Sequence, residues 1–590
     1  MKKKIFSLLL VVFMLVSSLA VLTSCGGGDD PCAKGHTDEN NDWVCDVCEK
    51  KISHTCVDID EDGLCDKCFA EVAGPGEEPF GPVAWEGQAP IELIYKMTDY
   101  DNKGSTPSGC KRYLAGQDEN FSDSIDDAVA IRNDDAERLA NVHVTYQYYE
   151  NVSANGWGKT FQQMFDEVDS GDPNTPDIFT NYTYDMVITS LKGTFHNLNN
   201  TKLSGGNYFS FLKDGYDEEE NNRGYMYSYM TTLSLSDEKM YVLASDYFID
   251  CIRAFIVVPV HIGLLETVGM EITGDLDGDG EFTVYDFYDD VRAKGWTYNK
   301  VAAYSTAVYK NTGTAVPGED IKDQLGFVVT PSQSGSSLIY TSSATVIQKV
   351  WDGTQGKYVY SYPNEGSKLY SLFDSVRNLM NATGVTCIRD DDPGVDEFGS
   401  DADDAVSTRF CQGGILFSVP DQLSSLEQDK FQTLKENEGF GIVPVPLYHE
   451  IPEGSSENYQ TLIHNCARPA GIARSTTKFA ACTAFLDYQS THSTHILDEY
   501  YDYKLQYDIV DGEIEGNVEM LQYLRKNVRT ALDKTWEDTL ARHFGTADHK
   551  LSMKLEANRF IYDLRTDYNE ITATKNKQIE EICKLYETLP

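Results

Sequence analysis

Oxygen-bearing residues recur at fixed spacing in one short segment of the chain. Asp275, Asp277 and Asp279 alternate along it, Gly280 follows, and Asp286 closes it at the twelfth position. Carboxylate, hydroxyl and carbonyl oxygens are the ligands that Ca²⁺ prefers, and a twelve-residue loop with glycine at position six wraps them around one ion. The segment predicts a structural calcium site with the ligands Asp275, Asp277, Asp279, Glu281 (through its carbonyl), Thr283 and Asp286.

The last ligand position of this loop departs from the usual pattern. Asp286 stands where an EF-hand loop has glutamate, and this substitution resembles dockerin repeats. A dockerin uses two copies, so a single embedded copy favours a structural clamp at the entrance to a helix. An acidic turn in solvent is the alternative.

A second set of metal-type ligands lies near the start of the chain, in a segment that repeats. Cys45-Asp46-Val47-Cys48 recurs as Cys65-Asp66-Lys67-Cys68. Two cysteines separated by two residues can bind one tetrahedral ion, and a distant pair completes its coordination. The expected structural zinc ligands are Cys32, His36, Cys45 and Cys48 in one copy and His54, Cys56, Cys65 and Cys68 in the other.

This Cys/His-rich head is too short and too polar to build a core, so a metal or disulfides must hold it together. Disulfides are an alternative to zinc, because an extracellular location permits them. Its Asp-rich runs resemble part of a calcium loop but lack the later acidic ligand. Four-ligand zinc sites are closed, so the head predicts no catalysis.

The first residues have the pattern of a cleaved export signal. Three lysines precede an apolar run, and Leu22-Thr23-Ser24-Cys25 resembles a bacterial lipobox. That resemblance implies cleavage before Cys25, lipidation of this cysteine, and a mature protein on the extracellular face of the cytoplasmic membrane, as in Gram-positive lipoproteins. The alternative is that the apolar run spans the membrane as an anchor.

The composition indicates a soluble, strongly acidic body. The chain has 94 acidic and 49 basic residues, a formal net charge of −45, and a hydrophobic share of 41% that can support a large core. Such a surface repels nucleic acid, so we expect no nucleic-acid partner. An acidic insertion at 390–404 adds to this charge and is expected to affect access to any cleft.

Strand and helix signals alternate from Ile91 onward. The runs 91–95 and 142–148 have the pattern of strands, and a third strand begins at Asp177. Between them the apolar side chains recur at helical spacing. This β-α-β-α-β order predicts an α/β fold with a mostly parallel sheet and helices on both faces.

Several short motifs then follow in a fixed order. They include 168–171 with 175–179, the element 193–198, the strand 240–243, Gly295-Trp296-Thr297-Tyr298, the strand 440–446, and 470–473 before a helix. In this order, behind a lipobox, they resemble family 1 extracellular solute-binding proteins of bacterial ABC importers, the maltose-binding-protein-like group. The resemblance covers residues 90–590 and implies a two-lobe periplasmic-binding-protein-like fold of class II type, preceded by the metal-binding head.

The predicted domains follow from this resemblance. They are the signal peptide 1–24, the lipidated head 25–72, a linker 73–90, an N-lobe 91–248 completed by 466–495, a C-lobe 249–465 with the calcium-like loop 275–286, and a helical tract 496–590 completing the C-lobe.

The resemblance implies capture of a small solute between the lobes and delivery to ABC permease subunits. Ligands of parallel α/β sheets meet the loops beyond the carboxyl ends of strands, and sugars need aromatic faces beside polar groups. The favoured solute is an oligosaccharide. The ligand-binding candidates are Tyr100, Tyr182, Asp185, Asp246, Tyr247, Trp351 and Asp421.

Two other classes of function stay open at this point. A surface adhesin or sensor component can keep the same fold without an importer, and fold alone does not distinguish them. A glycan-active enzyme needs two converging carboxylates, and no motif selects such a pair. The chain has no G-x-S-x-G, H-E-x-x-H or glycine-rich phosphate loop, so we predict no enzymatic activity.

Overall fold

The computed structural model describes residues 88–98, 109–116, 124–149, 160–172, 174–200, 202, 206–212, 224–236, 238–312, 320–331, 337–341, 344–355, 357–363, 367–437, 439–452, 454–500, 515–527, 532–545, 551 and 564–590. The chain divides into two units, Met1–Glu78 and Pro79–Pro590, and the described residues belong to the second. The predicted lipidation site Cys25, the zinc ligands from Cys32 to Cys68 and the ligand candidate Tyr100 lie outside the described residues.

The strands and helices alternate along most of the chain. The strands are β1 (Ile91–Thr98), β2 (Val142–Tyr149), β3 (Ile178–Thr180), β4 (Ile256–His261), β5 (Leu325–Val329), β6 (Gln348–Asp352), β7 (Lys357–Ser361), β8 (Val385–Cys387), β9 (Ile415–Phe417), β10 (Asp421–Gln422), β11 (Phe440–Val443) and β12 (Ala470–Ile472). The α-helices are α1 (Ser124–Leu139), α2 (Thr160–Asp169), α3 (Thr183–Ser190), α4 (Tyr227–Thr232), α5 (Asp250–Arg253), α6 (Ile262–Ile272), α7 (Val284–Arg292), α8 (Tyr298–Val308), α9 (Ser337–Tyr340), α10 (Lys368–Met380), α11 (Val395–Phe398), α12 (Ala402–Cys411), α13 (Asp429–Asn437), α14 (Phe479–Thr491), α15 (Thr494–Glu499), α16 (Glu515–Lys526), α17 (Leu532–Phe544) and α18 (Leu564–Thr588).

The first sheet has the strand order β12-β3-β1-β2. Strand β1 is central and runs parallel to both β2 and β3, while β12 runs antiparallel to β3. Leu93, Tyr95 and Met97 of β1 are buried, because alternate side chains of a strand point to the same face of the sheet. The predicted strands at 91–95, 142–148 and 177–180 are therefore neighbours in one sheet.

The second sheet repeats this arrangement. Its order is β10-β4-β9-β5-β8, with β11 also paired to β4. Strand β5 is central and parallel to β8 and β9, while β4 runs antiparallel to β9. In both sheets, three parallel strands are followed by a strand that runs antiparallel to them, β12 in the first sheet and β4 in the second. In the second sheet, β10 and β11 also pair with β4, both in antiparallel fashion.

Two chain segments connect the sheets and run side by side. The outgoing segment leads from β3 to β4, and the returning segment leads from β11 to β12. Leu243 pairs with Ala470, and Phe255 pairs with Ile463, both in antiparallel bridges. Two α/β lobes joined by paired crossovers, each with the strand arrangement described above, form the two-lobe binding-protein fold of class II type. The predicted two-lobe α/β fold is confirmed, whereas the metal-binding head that the prediction places before it lies outside the described residues.

The helices after residue 496 contact both lobes. Helix α16 packs on β11 and α7 of the second lobe, whereas α17 packs on α3 of the first lobe. Helix α18 contacts α17, α10 and the hairpin strand β7. The sequence predicts that this tract completes the C-lobe, and the structure also gives it contacts with the N-lobe.

A buried aromatic cluster fixes the core of the C-lobe. The rings of Trp296 and Phe417 lie 4.8 Å apart, and Phe287 meets Trp296 edge to face at 5.2 Å. The Trp296 indole nitrogen donates to the Pro444 carbonyl at 2.9 Å. Two motifs that carried the family resemblance, around Trp296 and around Pro444, are therefore in direct contact.

Within the described part of the chain, none of the helices combines the length and the apolar character that crossing a membrane requires.

Candidate functional site

A cavity of about 530 Å³ lies between the two lobes. Tyr184 of α3 lines it from the N-lobe, and His464 and Cys466 line it from the returning crossover. The C-lobe contributes Ser418 and Val419, which follow β9, and Asp421 at the start of β10. The lining thus comes from segments that follow strand ends, where α/β sheets expose their backbone groups.

The C-lobe wall of the cavity is acidic. Asp401, Asp403 and Asp404 line it from the start of α12, together with Lys430 of α13. Asp401 is the N-cap of α12, and its side chain accepts a hydrogen bond from the Asp404 backbone N–H at 2.9 Å. This wall belongs to the acidic insertion 390–404, which the sequence placed near a cleft without assigning it ligand contacts.

Aromatic and cationic groups stack on the N-lobe wall. The rings of Tyr182 and Tyr184 are stacked with centroids 5.9 Å apart. The Arg542 guanidinium lies 4.2 Å from the Tyr184 centroid, and that of Arg468 lies 5.1 Å from the Tyr182 centroid. The Tyr184 hydroxyl is buried and has no hydrogen-bond partner among the described residues. An unsatisfied buried hydroxyl in a cavity wall is a group that a polar ligand can pair with.

His464 and Cys466 are residue types that can act as base and nucleophile. Burial, together with the nearby Lys534, lowers the pKa of His464 to about 4. Burial raises the pKa of the Cys466 thiol to about 12. Both groups are therefore neutral near pH 7, which is the opposite of the thiolate–imidazolium pair of reactive cysteines. The Cys466 backbone N–H donates to His464 Nδ1 at 3.2 Å, so the neutral ring carries its proton on Nε2.

A buried charge network lies where the lobes join. Arg253 donates to the two carboxylate oxygens of Glu427 at 2.8 and 2.7 Å, and to Asp250 at 2.8 Å. Asp250 also pairs with Arg468, whose guanidinium stacks on Tyr182. The outgoing crossover, the returning crossover and the C-lobe are thus linked by ion pairs directly beside the cavity.

The structure places the predicted ligand-binding residues at different depths. Asp421 lines the cavity. Tyr182 and Asp185 flank the cavity residue Tyr184 but are almost fully buried. Burial raises the pKa of Asp185 to about 6, although a hydrogen bond from Thr160 at 2.8 Å partly offsets this rise.

The remaining candidates lie away from the cavity lining. Asp246 accepts a hydrogen bond from the Gly224 backbone and pairs with Arg525, while the Tyr247 hydroxyl donates to the Arg468 carbonyl at 2.7 Å. Trp351 is 56% exposed on the β6–β7 hairpin, where it packs against Tyr358. A ligand role for these three residues stays a prediction.

Sequence reasoning missed most of the cavity lining. Tyr184 lies in the same post-strand loop as Tyr182, so only the choice of ring differed. Lys430 lies on α13, whose sequence has the polar pattern of a surface helix. His464 and Cys466 lie in a segment outside the helices and strands, where apolar residues show no regular spacing. Nothing in their local pattern indicates that the two crossovers bring them to one cavity.

The calcium-like loop brings three of its predicted ligands together. One carboxylate oxygen from each of Asp275, Asp277 and Asp286 lies within 4.8 Å of the others, and Asp279 is outside this group. Gly280 adopts a φ of 96°, which the sharp turn requires. Phe282 packs directly on Gly269, which gives the loop an apolar contact with α6. Asp286 and Thr283 also form the capping box of α7.

The Asp286 carboxyl already accepts hydrogen bonds from the backbone. The N–H of Leu276 lies 2.7 Å from one oxygen, and the N–H of Thr283 lies 2.8 Å from the other. Burial alone tends to raise the pKa of Asp286, but these donors outweigh it and hold the pKa below its usual range. The carboxyl is therefore ionised at neutral pH, as a calcium ligand must be.

Solved structures of binding proteins resemble this chain over most of its length. The galacto-N-biose/lacto-N-biose I-binding protein of the ABC transporter from Bifidobacterium longum matches with a TM-score of 0.47 and 11% identity, over 84% of this chain and 98% of that one. The GacH receptor of Streptomyces glaucescens matches with a TM-score of 0.43 and 11% identity, over 83% and 99%. MalE from Bdellovibrio bacteriovorus, bound to maltotriose, matches with a TM-score of 0.42 and 10% identity, over 83% and 100%.

No family model and no curated protein matches the sequence. The fold class therefore follows from the strand order and the paired crossovers. They define a two-lobe α/β protein with the class II solute-binding fold and a polar, partly aromatic cavity between its lobes.

Proposed function

We propose that this protein captures an oligosaccharide in the cavity between its lobes. The cavity of about 530 Å³ carries this proposal, because small-molecule sites typically measure about 300–1,000 Å³. Tyr184 and Phe431 line it with apolar ring atoms that the C–H groups of a sugar can contact, and Asp421 offers a hydrogen-bond acceptor for its hydroxyl groups. The neutral states of His464 and Cys466 favour binding over catalysis.

The proposal includes the setting that the sequence implies. The protein is lipidated at Cys25, stands on the extracellular face of the membrane, and passes its solute to ABC permease subunits. Closure of the lobes around the solute is the signal that such a permease recognises, since ligand favours the conformation in which it makes more contacts. Calcium at the 275–286 loop and zinc in the head are proposed as structural ions.

A thermal-shift screen of the full chain against a glycan library tests this proposal. A ligand that binds only the folded state raises its stability by mass action, by about 2.7 kcal/mol at 100 times the Kd. We expect one oligosaccharide series to raise the melting temperature by a few degrees and to be recovered chemically unchanged. Hydrolysis of the glycan contradicts the absence of catalysis, and a response to peptides but to no glycan contradicts the sugar assignment.

Two variants locate the binding site in the same screen. Asp421→Ala removes a cavity acceptor and is expected to reduce the glycan-induced shift strongly. Trp351→Ala removes an exposed ring from the β6–β7 hairpin and tests the predicted ligand role of Trp351, because an intact shift places this ring outside the site. A shift that is lost in Trp351→Ala but kept in Asp421→Ala moves the binding site to the hairpin.

A further inference from the structure

The charges around the cavity do not balance. Asp401, Asp403 and Asp404 line one wall of it, and Lys430 is the cation that lines it among the described residues. Lys430 donates to Asp404 at 2.8 Å and to the Ser407 hydroxyl at 2.6 Å. The lysine is therefore already engaged on the wall, and the cavity keeps an excess of negative charge.

This excess of negative charge lies mainly on Asp401 and Asp403. In the described part of the chain, neither carboxylate has a cationic side chain within ion-pair distance. Asp403 accepts a hydrogen bond from the Thr330 hydroxyl, which satisfies one oxygen but neutralises no charge. Burial is the largest cause of the raised pKa of Asp403, and the like charges of Asp401 and Asp390 add a smaller rise in the same direction.

Among the described residues that line the cavity, the other polar groups add no positive charge; the Arg468 and Arg542 guanidinium groups lie over the rings of Tyr182 and Tyr184 and are not lining residues. His464 is neutral because its pKa lies near 4. The Tyr184 hydroxyl is buried without a partner, and its oxygen can accept a hydrogen bond as well as donate one. A neutral sugar finds acceptors here, but it brings no counter-charge to the neighbouring carboxylates of Asp401 and Asp403.

We infer that the captured solute carries positive charge, and that the cavity selects amino sugars with free, protonated amines over their neutral counterparts. This inference rests on the proposed function, because it names the class of sugar that the same cavity takes. A protonated amine beside Asp401 and Asp403 forms charge-assisted hydrogen bonds, which are about twice as strong as neutral ones. It also removes the repulsion between the carboxylates.

Calorimetric titration of the full chain with matched glycans tests the inference. The probes are glucosamine oligomers of two to five units and the N-acetylated oligomers of the same lengths, which differ in the charge of the amine. The titration is run at about pH 6.5, below the pKa of about 7.7–8.0 of an ordinary α-amino group. We expect the amine series to bind at least tenfold more tightly, with an affinity that falls as salt is raised from about 0.05 to 0.5 M.

Substitutions then assign the effect to the wall. The double variant Asp401→Asn, Asp403→Asn keeps the shape of the side chains and is expected to weaken binding of the amine series about tenfold or more. Asp391→Asn is the matched control, because Asp391 lies in the same insertion but is exposed and outside the cavity lining. Its affinity for the amine series is expected to stay within twofold of the unmodified protein.

The possible outcomes distinguish a failure of this inference from a failure of the proposed function. Equal or tighter binding of the N-acetylated series, or of other neutral glycans alone, overturns the charge selection and leaves glycan capture standing. Binding of neither series nor of any other glycan overturns both. An unchanged affinity of the double variant overturns the role of Asp401 and Asp403. The comparison of matched glycans and the salt series need no variant, so the inference remains testable if the double variant fails to fold.

Discussion

Folding buries the carboxyl group of Asp185. In the described part of the chain, no cationic side chain lies within ion-pair distance of this group. Thr160 donates to one oxygen, and the other has no hydrogen-bond partner among the described residues. Its raised pKa means that the folded protein holds this proton more tightly than the unfolded chain does. A single side chain beside the cavity thus links stability to pH.

The sign of this linkage gives a prediction for Asp185→Asn. The stabilisation from the protonated carboxyl is complete below about pH 4 and is lost as pH rises through about 6. A rise in pKa from 3.8 to about 6 corresponds to about 3 kcal/mol. As pH rises from 4 to 7, we expect the stability of the Asp185→Asn variant to increase by about that much relative to the stability of the unmodified protein.

Thermal unfolding of both proteins across this pH range measures the difference. Asp391→Asn, an exposed change of the same type, is expected to show no such trend. A difference that shrinks as pH rises contradicts the assigned pKa.

The element that fixes the C-lobe core is the junction between α8 and β11. Thr297 caps α8, and the preceding Trp296 reaches across to the Pro444 carbonyl beyond β11. A large indole in a closely packed site stabilises the fold through its buried area and its hydrogen bond. Trp351 carries the same side chain on a two-stranded hairpin, where more than half of it faces solvent.

These two tryptophans form a matched pair for mutation. Trp296→Ala is expected to lower the free energy of unfolding by about 3–5 kcal/mol, since it empties a buried site. Trp351→Ala is expected to change it by no more than about 0.5 kcal/mol. Urea denaturation of the two variants checks this, and equal effects contradict the assignment of Trp296 to the core.

The loop before α7 gives a second prediction for an element. Calcium is expected to raise the melting temperature of the protein after chelator treatment, because the ion binds carboxylates that the folded loop has already brought together. The double variant Asp275→Asn, Asp277→Asn is expected to lose this response. Asp289→Asn, an exposed change on α7 outside the ligand set, keeps it. An equal calcium response in the double variant places the ion elsewhere.

The junction between the two lobes contains ion pairs that are buried away from solvent. Glu427 binds Arg253 with two hydrogen bonds, and both side chains are about 90% buried. Removing one partner of such a pair leaves a buried charge without compensation, which is far more costly than losing an exposed pair. The junction between the lobes is therefore the part of the body most sensitive to charge loss.

A pair of identical substitutions measures this sensitivity. Glu427→Gln is expected to reduce the free energy of unfolding by about 3 kcal/mol. Glu397→Gln removes the partner of Lys322 in a pair that is about half exposed, and it is expected to cost less than about 1 kcal/mol. Comparable losses in denaturant titrations contradict the role given to the buried network.

The sequence predicts the fold of this protein better than its site. The alternation of strands and helices from Ile91 to Thr180 is local, and periodicity reveals it directly. The cavity instead joins Tyr184, Asp403 and His464, which are far apart in sequence and meet only because the crossovers bring the lobes together. Trp351 is predicted as a ligand-binding residue because of its residue type. Its position on an exposed hairpin depends on tertiary packing, which the local sequence pattern does not show.

The contacts of α16 with one lobe and α17 with the other have a mechanical consequence. Rotation of the lobes must deform the crossovers and must also change the angle between these two helices. The helices therefore act in parallel with the crossovers and add to the stiffness of the hinge. A stiffer hinge opens through smaller angles at a given thermal energy, so under the proposed function a solute would enter this cavity through a narrow range of motion.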